Sequence, residues 1–149
     1  MVIGWFRRKS ATISRGRVMK LSEYESFEKA ALALRAVASA QKDGGTAAYI
    51  DAEHTLDIDL VRSSGIDPDK LLFSQPTCAE EALAICECLV KSGQIDVVVI
   101  DSIASLVPQA VIYGLVGETQ CVRQMRELER TMRRLTSEIR RTDTLCIFT

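Results

Sequence analysis

The fold is decided most clearly by residues 95–101, whose sequence is IDVVVID. Valine and isoleucine fill this stretch, without the alternation of polar and apolar residues that a strand with one solvent-exposed face shows. Strands of this kind lie inside parallel sheets, where helices cover both faces. The stretch therefore predicts a central parallel strand, and parallel strands are joined by crossover connections that are usually helices.

Segments typical of strands and helices alternate around this stretch. The predicted strands are 18–21, 46–51, 71–74, 95–101 and 144–149, and the predicted helices are 25–42, 56–64, 77–92 and 119–141. This order predicts an α/β fold in which a mainly parallel sheet has helices on both faces. In such sheets ligands bind beyond the carboxyl ends of the strands, so the residues that follow each strand are the candidates for a functional site.

Two of the predicted helices carry further signals. Thr77 and Glu80 have the spacing of a capping box, and Gly93 is expected to end the helix that they begin. In helix 119–141 apolar residues recur every three or four positions, which predicts one buried face. This stripe consists of Val122, Met125, Leu128, Met132, Leu135 and Ile139.

The composition is that of a folded globular domain, or part of one. The chain has 149 residues, of which 47% are hydrophobic and 26% charged, and a net charge of −1, so the chain as a whole is not a disordered tail. No apolar run approaches the ~20 residues of a membrane span, and the start, MVIGWFRRKS, is not a secretory signal. We expect a cytoplasmic protein with no membrane partner. Residues 1–14 are expected to be a poorly ordered basic leader and 15–149 the folded core.

Positive charge is concentrated in two segments. Residues 1–20 contain six basic residues and no acidic one, and residues 123–141 contain seven arginines. A chain with almost no net charge can therefore still carry two basic surfaces.

Residues that bind zinc are few. The chain has five cysteines, at positions 78, 86, 88, 121 and 146, no CxxC motif, and a single histidine. Zinc sites and disulfide frameworks require regular spacing and more ligands. We therefore expect no zinc site, and buried, reduced thiols.

Acidic side chains follow two of the predicted strands. Asp101 ends the central strand in the form of a Walker B element, whose carboxylate holds Mg²⁺ beside a phosphate chain; the alternative is an aspartate that caps the next turn through Ser102. Glu53 follows another strand and could orient or deprotonate a water molecule. His54 beside it is a candidate base, although a lone histidine is more often structural. Glu53 and Asp101 together form the carboxylate pair that metal-assisted hydrolysis of a nucleotide requires.

The first β-to-α turn is where a phosphate-binding loop would lie. That loop has the form G-x-x-x-x-G-K-[ST], whereas residues 23–30 are EYESFEKA. Lys29 is present, but Glu23 and Glu28 replace the glycines, and Ala30 has no hydroxyl for Mg²⁺. By its motif alone, this turn is an acidic helix start and not a nucleotide site.

Longer stretches resemble the bacterial RecA recombinase family. They are RGRVMKL (15–21), LALRAVASAQKDGGTAAYIDAEHTLD (32–57), GIDPDKLLFSQP (65–76), EEALAICECLVKSGQIDVVVIDSIASLVPQA (80–110) and RRTDTLCIF (140–148). The combination of IDAEH, LLFSQP and VVVIDSIASLVP is far more specific than a strand-end aspartate. The resemblance covers roughly residues 13–149 and implies a partial RecA-like P-loop NTPase core.

What the resemblance implies is a protein of homologous recombination, DNA repair and the SOS response. Members of the family bind ATP and Mg²⁺ between the protomers of a filament on single-stranded DNA and exchange homologous strands. By position, Lys29 would contact the phosphates, Glu53 would activate water, Asp101 would hold Mg²⁺ and the nucleotide, and Asp57 would contact the adenine. Gln75 lies in the stretch near that site.

The segment 112–120, IYGLVGETQ, is similar to the first DNA-binding loop of the family. The DNA-binding residues that the resemblance implies are Gly114, Gly117, Gln120 and Arg123. The arginine-rich helix that follows has two interpretations: it faces DNA or a neighbouring protomer, or it is a solvated face whose arginines pair with glutamates three or four positions away. The second interpretation is favoured.

The chain also departs from the family. Besides the changed phosphate loop, Leu60 replaces the tyrosine that stacks on adenine, and the second DNA-binding loop is not present. ATP hydrolysis is therefore expected to be impaired. The alternative is a non-catalytic fragment that acts as a protein-interaction module or has no activity of its own. The last predicted strand, 144–149, is expected to leave an apolar sheet edge, which favours association.

Overall fold

The structure is a computed structural model that describes residues 15–21, 26–102, 107, 108, 112 and 118–149. The predicted leader, 1–14, lies outside the described residues. The strands are β1 (Arg17–Lys20), β2 (Ala47–Asp51), β3 (Leu71–Ser74), β4 (Val97–Asp101) and β5 (Leu145–Phe148). The helices are α1 (Ser26–Lys42), α2 (Ile58–Ser63), α3 (Ala79–Ser92) and α4 (Glu118–Thr142), with a 3₁₀ turn at Pro68–Lys70.

The five strands form one sheet in the order β1-β5-β4-β2-β3, and every pair is parallel. The predicted α/β fold is thus confirmed, with β4 in the middle of the sheet. The expectation that the last strand leaves an open edge is wrong, because β5 pairs with β4 on one side and β1 on the other. Among the strands that the structure describes, β1 and β3 are the edges of the sheet.

Helices cover both faces of the sheet, as the unbroken apolar strand predicted. On one face Tyr49, Val97 and Val99 pack with Leu34 and Val37 of α1. On the other face the alternate strand residues, such as Ile50, Val98 and Ile100, pack with α3 and α4. The alternation of the two clusters along each strand follows from the two-residue period of β-structure.

The apolar stripe of α4 is buried where the structure describes it. Leu135 and Ile139 are almost fully buried, and Leu128 and Met132 pack against the same cluster. The side chains of Val122 and Met125 lie outside the described part. Helix α4 also contacts α3 through Arg134, whose guanidinium makes two hydrogen bonds to Glu87, at 2.5 and 2.8 Å.

The start of α3 differs from the predicted capping box. The N-cap is Cys78, and its side chain makes no capping hydrogen bond. Thr77 instead donates its backbone N–H and its hydroxyl to Glu81, at 2.7 and 3.0 Å. Because the helix begins one residue later than the box assumes, Glu81 is the acid that reaches back. Gly93 ends the helix at φ +67°, as predicted.

Three of the described cysteines are buried, but Cys88 is exposed, so the expectation of buried thiols is wrong at that position. Cys86 on α3 and Cys146 on β5 are buried together, with their sulfur atoms 3.7 Å apart. The contact with Cys86 and burial raise the pKa of Cys146 well above its ordinary value, so its thiol is protonated at neutral pH. Among the described helices, none is both long enough and apolar enough to cross a membrane.

Candidate functional site

The carboxyl ends of the strands meet at one edge of the sheet. Asp51 at the end of β2 lies opposite Asp101 at the end of β4, and Ile50 lies opposite Ser74 of β3. The parallel register therefore brings the residues that follow these strands together, which is where ligands bind in sheets of this kind.

Asp101 is held in place at this edge by its neighbours. One carboxylate oxygen, Oδ2, accepts a hydrogen bond of 2.5 Å from the Tyr49 hydroxyl, and the other, Oδ1, accepts one from the Thr149 hydroxyl. Burial and the hydrogen bond to Asp101 raise the pKa of Tyr49 far above its ordinary value of 10.0, so its phenol remains a hydrogen-bond donor. The carboxylate is thus positioned by two neutral hydroxyl groups.

Glu53 is tied to β4 through both its backbone and its side chain. Its backbone N–H donates to the carbonyl oxygen of Asp101 at 3.2 Å, and its Oε1 accepts a 2.5 Å hydrogen bond from the hydroxyl of Ser102. The structure therefore brings Glu53 and Asp101 together, and Ser102 links to Glu53 rather than back to Asp101. The peptide bond between Asp101 and Ser102 is cis.

Asp51 organises the loop that carries Glu53, a role that the sequence analysis did not assign. It is fully buried, and its carboxylate accepts hydrogen bonds from the N–H groups of Thr55 (3.2 Å) and Leu56 (3.1 Å) and from the Gln75 amide (3.0 Å). These bonds close the loop after β2 and join it to the end of β3. The signal in the sequence was a charged residue inside an apolar strand, because a buried charge requires partners.

His54 takes the structural role that was the commoner expectation. It lies at φ +57°, and its Nε2 is 3.3 Å from the carbonyl oxygen of Pro76. A ring nitrogen that donates to a carbonyl fixes the turn after β2 against the end of β3. The ring contacts neither Glu53 nor Asp101 through any hydrogen bond among the described residues.

Two other predicted site residues lie in the first turns of helices. Lys29 is half-buried in the first turn of α1, but residues 22–25, which precede that helix, lie outside the described part. Asp57 is the N-cap of α2, and its side chain accepts a 2.8 Å hydrogen bond from the backbone N–H of Asp59. Its contact with an adenine stays a prediction.

The predicted DNA-binding residues are only partly described. Gly114 and Gly117 lie outside the described residues. Gln120 lies in the first turn of α4, but its side chain is not described, and Arg123 is exposed one turn further along.

The chain matches the family model described as the RecA N-terminal domain over residues 9–149. It belongs to the RecA family. Its curated relatives include Protein RecA of Heliobacterium modesticaldum (48% identical) and of Oleidesulfovibrio alaskensis (49%), each aligned over 136 residues that cover 91% of this chain and 39% of the relative. Protein RecA of Acidiphilium cryptum is 48% identical over 91% of this chain and 40% of the relative. The chain thus spans about two fifths of the length of the curated relatives that it matches.

Membership of the RecA family directs attention to ATP and Mg²⁺, which fit this edge only in part. Asp101 is a strand-end carboxylate of the kind that binds a hydrated Mg²⁺ ion, although both of its oxygens already accept hydroxyl hydrogen bonds. No group of three or more His, Cys, Asp or Glu side chains in the described part is arranged to hold a metal ion.

The start of α1 does not fit a triphosphate bound in the manner of a P-loop. Glu28 is exposed in the first turn, next to Lys29, and Ala30 has no hydroxyl. A carboxylate about 4 Å from a phosphate charge opposes binding by roughly 1–4 kcal/mol, depending on the local dielectric. The two parts of the site thus differ. The strand end carries a carboxylate of the kind that binds Mg²⁺, whereas the negative charge at the start of α1 opposes the binding of phosphate.

Proposed function

We propose that the protein acts in the cytoplasm as a RecA-type protein of homologous recombination and DNA repair, including the SOS response. It binds single-stranded DNA and assembles with RecA-like protomers, and its own ATP hydrolysis is impaired. The observation that carries this proposal is the position of Glu53 against Ser102 and Asp101, in a chain that is 48% identical to curated RecA proteins.

The impairment follows from electrostatics at the start of α1. A P-loop binds phosphates through glycine N–H groups and a lysine, and Lys29 is the one of these that this chain keeps. In the motif, Glu23 and Glu28 stand at the two glycine positions, so the sequence adds two negative charges to the segment that would bind phosphate. We therefore expect Glu53 and Asp101 to lack a well-bound nucleotide on which to act.

Titration calorimetry with ATP and Mg²⁺ tests the impairment. The wild type is expected to bind more weakly than about 1 mM, because like charges oppose the triphosphate. The variant Glu23→Gly/Glu28→Gly/Ala30→Thr restores the P-loop residues and is expected to bind at least tenfold more tightly. Lys29→Ala in that background removes the gain, whereas Lys42→Ala, at the exposed far end of α1, is the matched control and leaves it unchanged. Micromolar binding by the wild type would contradict the impairment.

Binding to a labelled oligothymidylate at several salt concentrations tests the DNA-binding part separately. The logarithm of the binding constant is expected to fall linearly with the logarithm of the salt concentration, with a slope of about −0.7 for each phosphate contacted. Absence of binding at low salt would refute DNA binding, irrespective of the result with ATP.

A second candidate, a non-catalytic interaction module, is favoured by one observation. The edge strand β3 exposes Leu72 and Phe73, which are 46% and 51% accessible. An unpaired, apolar edge strand invites association with another chain. Co-sedimentation with a full-length RecA relative, without any binding to DNA, would select this candidate over the first.

A further inference from the structure

A groove of about 550 Å³ lies between β1 and the carboxyl end of α4. Arg15, Arg17 and Arg140 line it, together with one acidic residue, Asp143. These arginines come from the two basic segments of the sequence, near opposite ends of the chain. They become neighbours because β1 pairs with β5, which follows α4 after a short turn.

The groove has a positive excess that the described residues do not neutralise. Arg15 is paired with Asp96, at 2.5 Å. Arg17 and Arg140 are exposed, and neither makes an ion pair with a described side chain. Arg17 and Arg140, which line the groove from β1 and α4, therefore carry two unpaired positive charges, with Asp143 as the opposing charge.

The positive charge continues along α4. Five of its arginines are exposed and make no ion pair with a described side chain: Arg123, Arg126, Arg130, Arg133 and Arg140. At 3.6 residues per turn they fall on an arc of about 100°, opposite the buried apolar stripe. At 1.5 Å per residue, this line of arginines spans about 26 Å. It leads from the helix end that follows the predicted DNA-binding loop to the groove.

We propose that the groove binds the phosphate backbone of single-stranded DNA, as a second contact at the far end of α4 from the predicted loop; this rests on the DNA binding proposed above. Five unpaired arginines, with Glu127 and Glu129 as the exposed acids beside them, leave a line of net positive charge, which suits a linear polyanion. Arginine forks bind phosphate oxygens in pairs. No aromatic side chain is among the described residues that line the groove, so the contact is independent of base sequence.

The test measures anisotropy of a fluorescein-labelled oligothymidylate with the full chain. Arg17→Gln/Arg140→Gln removes two phosphate contacts, so the salt slope is expected to become less steep by about 1.4, and binding near 0.1 M salt to weaken about 25-fold. The control Arg35→Gln/Arg62→Gln removes the same charge from exposed positions on α1 and α2, and is expected to bind within twofold of the wild type.

A gain of affinity separates the proposal from loss of folding. Asp143 lies at φ +58°, which asparagine tolerates, so Asp143→Asn removes the acid of the groove without strain in the turn. This variant is expected to bind the oligothymidylate more tightly than the wild type, a result that unfolding does not produce. Hydrogen exchange is expected to slow at residues 15–21 and 136–143 when the DNA is added.

Several outcomes overturn the inference. They are unchanged binding by Arg17→Gln/Arg140→Gln, equal weakening by the control pair, no tightening by Asp143→Asn, or equal competition by polyglutamate at the same charge concentration. If Arg123→Gln weakens binding and the groove variant does not, the groove is excluded and the proposed DNA binding stands. If the wild type binds no oligothymidylate, both fail.

Discussion

At the residue scale, the two strand-end aspartates that lie side by side do different things. Asp51 is fully buried and holds the loop after β2, whereas Asp101 is partly exposed at the edge. The sequence singled out Asp101 and Glu53, and the structure places them together. The sequence did not show the roles of Asp51 and Ser102. Those roles depend on contacts with Gln75, 24 positions from Asp51, and with Glu53, 49 positions from Ser102.

Asp51→Ala is expected to destabilise the chain by roughly 3 kcal/mol. The substitution removes a buried acceptor from three partly buried hydrogen-bond donors, and each such loss costs about 1 kcal/mol, the lower end of the range for an unsatisfied group. Urea unfolding followed by circular dichroism measures the change. Asp59→Ala, at an exposed position on α2, is the control with a change below about 0.5 kcal/mol. Equal effects of the two substitutions would show that Asp51 does not hold the loop.

Tyr49 makes stability depend on pH in the alkaline range. Its pKa is raised in the folded chain, so its contribution is fully present below the ordinary value of 10.0 and decreases as pH rises above it, because the unfolded chain then loses a proton that the folded chain keeps. Urea unfolding between pH 8 and about pH 11 is expected to show a steeper decline for the wild type than for Tyr49→Phe. Parallel declines would mean that Tyr49 ionises normally in the fold.

At the element scale, α4 combines a buried stripe with an arginine face. The interpretation that its arginines pair with glutamates on the same helix holds for Arg141, which pairs with Glu138 at 2.7 Å. Arg134 instead pairs across the helix interface with Glu87 of α3. Sequence spacing identifies partners on one helix, but not partners on a neighbouring one, so this contact required the structure.

The contact between α3 and α4 is expected to weaken in acid. The hydrogen bonds from Arg134, then from Lys91, lower the pKa of Glu87 below its ordinary value of 4.5. The stabilisation is therefore complete above pH 4.5 and is lost as pH falls through the lowered pKa. The wild type is expected to be more stable than Arg134→Gln at pH 7, and the difference in unfolding free energy should shrink below pH 4. A difference that is the same at pH 7 and pH 3 would exclude the ion pair as its source.

At the scale of the whole molecule, the edge strands of the described sheet are the places where association with another chain is expected. The apolar edge expected at the last strand is instead at β3, because β5 is inserted between β1 and β4. Phe73→Lys is expected to reduce self-association in sedimentation velocity, since a charge on an edge strand opposes pairing. Gln94→Lys adds the same charge at an exposed position after α3 and should leave association unchanged. If both variants self-associate as strongly as the wild type does, the β3 edge is excluded as the site of association.

The sequence by itself determined the α/β class, the order of the elements, the central place of β4 and membership of the RecA family. It could do so because apolar periodicity, helix-ending glycines and family motifs are local features. Only the tertiary structure decided which strands are edges, which acids hold loops, and that the two basic segments line one groove. Those features arise from strand order and side-chain contacts between distant residues, and a parallel sheet joins segments in an order that differs from their order along the chain.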